Sequence, residues 1–284
     1  MRANFFIILF FISFFGFSQI KTPPPSPSSK FEQMVGLTEI EIEYNRPSKR
    51  GRVIFGNLVP FGKLWRTGAN SSTKISFSTD VEINGNDIKS GTYSIFSIPN
   101  KDNWDVILYS DAELWAVPKD WDDKKIIFKS NYKVHKSEGS NKVETFTISL
   151  DNISNNNSDL VIAWDDTYVK VKIDVPSRDM VESSIVSTMN ASPKASDYYA
   201  ASVYYRQENI KLDVALKWMN KAIEMTEDPK FFQLRQQSLI MAANKRYPEA
   251  IDVAKKSLEL SIQADNQDYV KMNKESIEEW SKKL

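Results

Sequence analysis

A chain of 284 residues has room for about two domains. With 41% hydrophobic and 26% charged residues it has the make-up of a globular protein, and 37 Lys and Arg against 37 Asp and Glu leave no net charge. That balance excludes a dedicated nucleic-acid binder, which needs a basic excess over phosphates, and the lack of cysteine excludes disulfides, thiol nucleophiles and Cys-ligated metals.

Arg2, the apolar run from Phe5 to Phe17 and the small residues Gly16 and Ser18 read as a secretory signal peptide over residues 1–18, cleaved after Ser18. The run is shorter than the ~20 residues that cross a bilayer, so no membrane span is expected after cleavage. The mature protein is expected in the periplasm or outside the cell. Residues 19–30 contain KTPPPSPSSK, a Pro/Ser linker expected to be extended.

Residues 31–176 alternate as β-strands do. Ile40, Ile42 and Tyr44 alternate with Glu39, Glu41 and Glu43, the period of a half-buried strand. Residues 74–80 alternate likewise, and Asn84-Gly85 marks a hairpin. Residues 92–99 and 104–109 form two further runs, 126–128 and 132–134 read as two short pairing strands, and 143–150 alternate again. Residues 160–164 and 168–175 close the series over Asp165-Asp166. Short strands with turns between them, and no helical period among them, predict an antiparallel β-sandwich.

Residues 177–194 read as a linker, with a short helix over 180–189. Residues 195–284 read as helices. Ala215, Leu216, Met219, Ala222 and Ile223 fall on one helical face, and Asp228-Pro229 opens the next helix. Ala215 with Ala250, Leu216 with Ile251 and Ile223 with Leu258 share an offset of 35, close to the period of tetratricopeptide repeats. Arg246-Tyr247-Pro248-Glu249-Ala250 fits the turn and small residue of such a repeat, but Ser238 stands where the first helix usually has its small residue. The fold class is therefore α+β by segregation: an N-terminal antiparallel β-sandwich, then an all-α tetratricopeptide-like domain. The helical groove is the expected surface for a protein or peptide partner.

Residues 46–70, RPSKRGRVIFGNLVPFGKLWRTGAN, hold the densest set of Gly, Pro and Arg in the chain and read as an ordered connection on the β scaffold. Its pieces Arg46-Pro47-Ser48, Gly51-Arg52, Ile54-Phe55-Gly56, Leu58-Val59-Pro60 and Trp65-Arg66-Thr67-Gly68-Ala69-Asn70, with Ile83-Asn84-Gly85 and Gly91-Thr92-Tyr93-Ser94 further on, resemble the family catalogued as domain of unknown function 2911. The resemblance covers about residues 24–175. It implies an exported bacterial β domain, often with a helical tail, and implies no reaction.

The candidate ligand-binding residues are Arg46, Arg52, Trp65, Arg66 and Asn70, because guanidinium forks suit carboxylates and phosphates and an indole face suits a sugar ring. The competing reading is that the arginines pair with Asp or Glu and hold the loop in place, the commoner use of loop arginines. Trp104 and Trp164 sit in apolar strands and are expected in the core, while Trp115 and Trp121 lie in an acidic loop and are candidates for the surface. Asp120, Asp122 and Asp123 lack the order of a calcium loop, and the single histidine, His135, reads as an exposed strand residue. No Gly-x-Ser-x-Gly elbow and no Gly-x-Gly-x-x-Gly fingerprint are present, so neither a metal nor a cofactor is expected. These residues favour a non-catalytic binding or scaffold module of the cell envelope. The alternative is an envelope hydrolase cutting glycan or ester bonds with carboxylates near Arg66.

Overall fold

A computed structural model describes residues 22–139 and 141–284. The signal-peptide reading lies outside the described residues. Among the described residues twelve strands are followed by six helices, and the chain divides into two units between Ser177 and Arg178.

The first unit holds two antiparallel sheets. One orders β1 (Ser28–Val35), β2 (Thr38–Asn45), β3 (Thr73–Phe77), β6 (Gly91–Pro99), β7 (Asn103–Tyr109) and β8 (Ile126–Lys133). The other orders β10 (Val143–Asp151), β11 (Asn157–Asp165), β12 (Thr167–Asp174), β4 (Val81–Ile83) and β5 (Asn86–Ile88), with the short β9 (His135–Lys136) beside β12. Ile40, Ile42, Ile75 and Trp104 of the first sheet share one core with Ile148, Ile162, Trp164 and Val171 of the second. This is the expected sandwich, and it follows from the alternation: in β2 every second side chain is buried.

β6 and β7 break that alternation, because both of their faces are covered. Phe96, Ile107 and Tyr109 point away from the main core and form a second cluster with Leu114, Val117 and Trp121. Trp121 stacks on Tyr109 at 4.3 Å, whereas Trp115 stays 74% exposed. The acidic residues of that loop serve local turns: Asp122 Oδ1 accepts the Lys124 N–H, and Asp123 Oδ1 accepts the Trp121 indole N–H.

Three boundaries differ from the expectation. β1 starts at Ser28, inside the stretch read as linker, because beyond Pro27 no proline interrupts pairing and Ser28 to Val35 run antiparallel to Asn45 to Thr38. Residues 126–128 and 132–134 do not form two pairing strands: Ile126–Lys133 is one continuous strand, β8, which ends before Val134. Its polar centre reads as a turn, yet Lys129, Ser130 and Asn131 pair with Ile107, Val106 and Asp105 on β7. Residues 177–189 form a helix, α1 (Ser177–Met189), since they contain no Gly or Pro and place Val181, Ile185 and Met189 on one side at helical spacing.

The second unit continues with α2 (Ala195–Gln207), α3 (Leu212–Glu224), α4 (Phe231–Ala243), α5 (Tyr247–Gln263) and α6 (Gln267–Ser281). Its core is separate: Ala215, Met219, Ile240, Ala250, Ala254 and Trp280 are buried together. Small residues let these helices approach. Ser257 Oγ donates to Phe231 O at 2.8 Å, and Asn273 Nδ2 donates to Ser257 Oγ at 2.9 Å, so α4, α5 and α6 are tied through one serine. Among the described residues no helix is long and apolar enough to cross a membrane.

Candidate functional site

The connection between β2 and β3 is ordered because both sheets hold it. Pro47 O accepts the Phe146 N–H at 2.9 Å and the Lys49 N–H donates to Glu144 O at 2.7 Å, so the edge strand β10 is capped by this segment. At its other end Trp65 and Ser97 exchange two backbone hydrogen bonds, at 2.8 and 2.9 Å. Between these anchors Ile54, Val59 and Trp65 sink into the core. The Trp65 ring lies 5.3 Å from Phe146, 6.1 Å from Trp104 and 6.2 Å from Trp164, and its indole N–H donates to Gly68 O at 3.0 Å.

The turn after Trp65 is strained. Thr67 holds a φ of 52°, a costly value for a β-branched residue, and it is fully buried. Its hydroxyl bonds Ser97 Oγ at 2.9 Å, and its carbonyl accepts from Thr73 Oγ1 at 2.5 Å. Gly68 follows with a φ of 155°, where a Cβ would lie 3.1 Å from Thr73 Oγ1 and 3.3 Å from Asn45 O. The surroundings hold this shape against its cost, which is the situation in which strained backbone is worth a functional question. It leaves Arg66 half-buried beside a buried tryptophan.

Arg66 there meets a cleft of about 310 Å³ lined by Pro25, Pro47, Arg50, Arg52, Leu58, Val59, Trp65 and Trp164, among others. Three arginines line it. Arg50 donates to Pro25 O at 3.2 Å, and Arg52 donates to Lys49 O and Ser48 O at 2.9 and 2.6 Å. Carbonyls orient these side chains without cancelling their charge. Arg66 has less: its Nε is buried without a hydrogen-bond partner, and burial pulls its guanidinium below its ordinary value. Among the described residues none of the three arginines forms a salt bridge, and no Asp or Glu lines the cleft. An arginine stays charged in proteins, so a half-buried one without an anion is under-solvated.

The candidates from sequence divide accordingly. Arg52, Trp65 and Arg66 meet at the cleft. Arg46 turns to β10, where its Nε donates to Phe146 O at 3.1 Å and its Nη2 to Thr147 Oγ1 at 2.8 Å. Asn70 adopts a φ of 56° and its amide reaches Asn45 Oδ1 at 3.3 Å, so it shapes a turn away from the lining. Arg50 is not among the residues that the sequence singles out, although its place two residues before Arg52 in a Gly-broken loop is a usable signal. His135 is partly covered and stacks on Tyr168 at 5.1 Å. Among the described residues no three His, Asp or Glu side chains gather to hold a metal ion.

No curated protein and no solved structure matches the chain. A family model described as protein of unknown function DUF2911 matches residues 26–173, just over half of the chain and nearly all of the two-sheet unit that carries the cleft. The chain belongs to the DUF2911 family.

Proposed function

We propose that this protein is a non-catalytic binding module of the cell envelope, and that its β unit holds a small anionic ligand, free or carried on a sugar, in the cleft of Arg50, Arg52 and Arg66. One observation supports the reading: three arginines line one cleft whose lining includes no Asp or Glu, and the Glu144 carboxylate beside it accepts the Arg50 backbone N–H. Guanidinium forks bind carboxylate, phosphate and sulfate through paired, charge-assisted hydrogen bonds. Leu58, Val59 and the edges of Trp65 and Trp164 offer an apolar wall for the body of the ligand. Export rests on the basic start and apolar run of residues 2–18. The helical unit is read as a docking face for a protein or peptide partner.

A hydrolase of glycan or ester bonds would need two acids facing each other across the cleft, and its lining supplies only Ser26 and Ser48 as hydroxyl groups. The binding reading is therefore the better supported. Its test is calorimetry of the full-length protein with inorganic sulfate, a sugar phosphate, a uronic acid and a sulfated disaccharide. At least one should bind, with affinity falling as salt rises and lost in Arg66→Gln. A panel in which nothing binds, or in which Arg66→Gln binds as well as the wild type, removes the cleft. Turnover of an ester or glycoside would restore the hydrolase.

A further inference from the structure

The loop that carries the cleft also carries bare apolar side chains. Residues 46–70 hold six Lys and Arg and no Asp or Glu, in a chain of no net charge. Within them residues 53–62 bear no charge, and Arg52 and Lys63 flank that run. The run closes on itself. Val59 N–H donates to Ile54 O and Gly56 N–H to Val59 O, both at 2.9 Å, and Leu58 N–H donates to Val53 O at 3.3 Å. Its inner side is anchored: Ile54 and Val59 are buried, and the rings of Phe55 and Trp104 are centred 4.7 Å apart. Its outer side is uncovered, with Val53 65%, Phe61 44% and Leu58 42% exposed. Phe61 is held in place, since its ring lies against Gly56, where a Cβ would come within 2.8 Å of Phe61 Cε2. Leu58 also lines the cleft with Arg50, Arg52 and Arg66, so the apolar loop and the anion site meet at one residue.

A single exposed apolar side chain is ordinary, but three on one anchored loop mark a surface that a partner covers. The basic residues around them select a partner that is anionic as well as apolar. We infer that the loop of residues 53–62 enters the surface of an anionic lipid membrane, and that the cleft beside it takes a lipid headgroup phosphate on Arg50, Arg52 and Arg66. The inference rests on the reading of the cleft as an anion site, and it names a lipid as the carrier of the anion. A guanidinium binds a phosphodiester through the same charge-assisted bonds as a free phosphate. A soluble phosphate would fill the cleft and leave the three apolar side chains in water, whereas a lipid engages both. Attachment of this kind is peripheral and needs no spanning helix.

The test uses full-length protein in which Asn57→Cys carries an environment-sensitive dye. Asn57 is exposed within the loop, and the lack of any other cysteine makes the label unique. A dye there reports on the loop alone, whatever else in the chain touches lipid. Vesicles of phosphatidylcholine with phosphatidylglycerol should shift its emission to the blue, and vesicles of phosphatidylcholine alone should not. Val53→Ser combined with Phe61→Ser should weaken vesicle binding at least about tenfold, the loss for two apolar side chains left in water. Arg66→Gln should weaken it about tenfold, and Arg66→Lys should stay weakened, because it keeps the charge and loses the fork. Ile153→Ser, which removes an exposed apolar residue between β10 and β11, should leave binding unchanged. Circular dichroism of each variant identifies any that fails to fold. An equal shift on neutral vesicles, or binding untouched by the Val53 and Phe61 changes, overturns the inference. Arg66→Gln or Arg66→Lys binding as well as the wild type also overturns it, since attraction would then lie in surface charge and not in the cleft. No shift on anionic vesicles overturns it too. If a free sulfate or sugar phosphate still binds in calorimetry, the cleft stands as an anion site and only the lipid falls; if none binds, both readings fall.

Discussion

Arg46 and Arg66 begin and nearly end the same loop, and the same side chain does different work in each. Arg46 bonds Phe146 O and Thr147 Oγ1, so its loss leaves acceptors on β10 unpaired. Arg46→Ala should lower stability by about 1–3 kcal/mol in urea unfolding and leave anion binding intact. Arg66 makes no such bond, and its Nε is buried alone. Arg66→Ala should leave stability unchanged or raise it by up to about 1 kcal/mol, while abolishing anion binding. If Arg66→Ala unfolded the protein as readily as Arg46→Ala, the residue would be a packing element and the cleft would lose its central group. The sequence shows that arginines crowd this loop. It cannot show which of them find carbonyls, because the partner of Arg46 lies 100 residues away. A residue's own neighbours in the chain say little about a bond of that separation.

At the scale of elements, local chemistry decides some boundaries and distant packing decides others. Asn84-Gly85 was legible because both residues take positive φ, 51° and 76°, the pair of angles a two-residue hairpin needs. The turn from β1 to β2 is different. Gly36 has a φ of 55°, and a Cβ there would lie 1.9 Å from Ser177 Oγ and 2.0 Å from Asn155 O. That glycine is required by a close approach that no local pattern announces. Gly36→Ala should therefore cost more than about 2 kcal/mol, measured by urea unfolding, against about 1 kcal/mol for Gly85→Ala, whose Cβ meets nothing within 4 Å. Equal losses would mean that the approach to Ser177 relaxes freely. The strands with clean alternation, β2 and β10, were readable for the same reason as the hairpin. β6 and β7 were readable as strands, but not as strands covered on both faces, since the loop that covers them is itself irregular. The sequence splits β8 into two pieces because its polar centre, Lys129, Ser130 and Asn131, imitates a turn.

Across the whole molecule the charges balance, yet they are not evenly used. Lysines and acids pair over the surface, while Arg50, Arg52, Arg66, Arg206 and Arg235 make no salt bridge among the described residues. The segregation of β and α halves was legible from the change of period near Pro176; the concentration of unpaired guanidinium groups was not, because composition counts charges without placing them. This distribution fixes the response to pH. Asp80 is held below the usual carboxylate range by the Lys89 ammonium and the Ser90 N–H, and Asp166 is held down by Lys136. A carboxyl group depressed in the folded state contributes stability above its unfolded value and loses it as pH falls through the folded one. Lys89 and Lys211, raised by Asp80 and Glu182, contribute below their ordinary value and lose that contribution only as pH rises past it. Stability set by these groups should thus be level from about pH 5 to 9 and decline below about pH 4, which melting curves across that range will check. The cleft adds a sharper expectation, since its lining contains no Asp, Glu, His or Lys. Any pH dependence of binding must come from the ligand. A sulfate ester should bind with constant affinity from about pH 5 to 9, and a phosphate ester should bind more tightly as pH rises through its second pKa of about 6. Sulfate-ester affinity that changed tenfold within that range would require a titrating protein group at the ligand, and the cleft of Arg50, Arg52 and Arg66 would then not be where it binds.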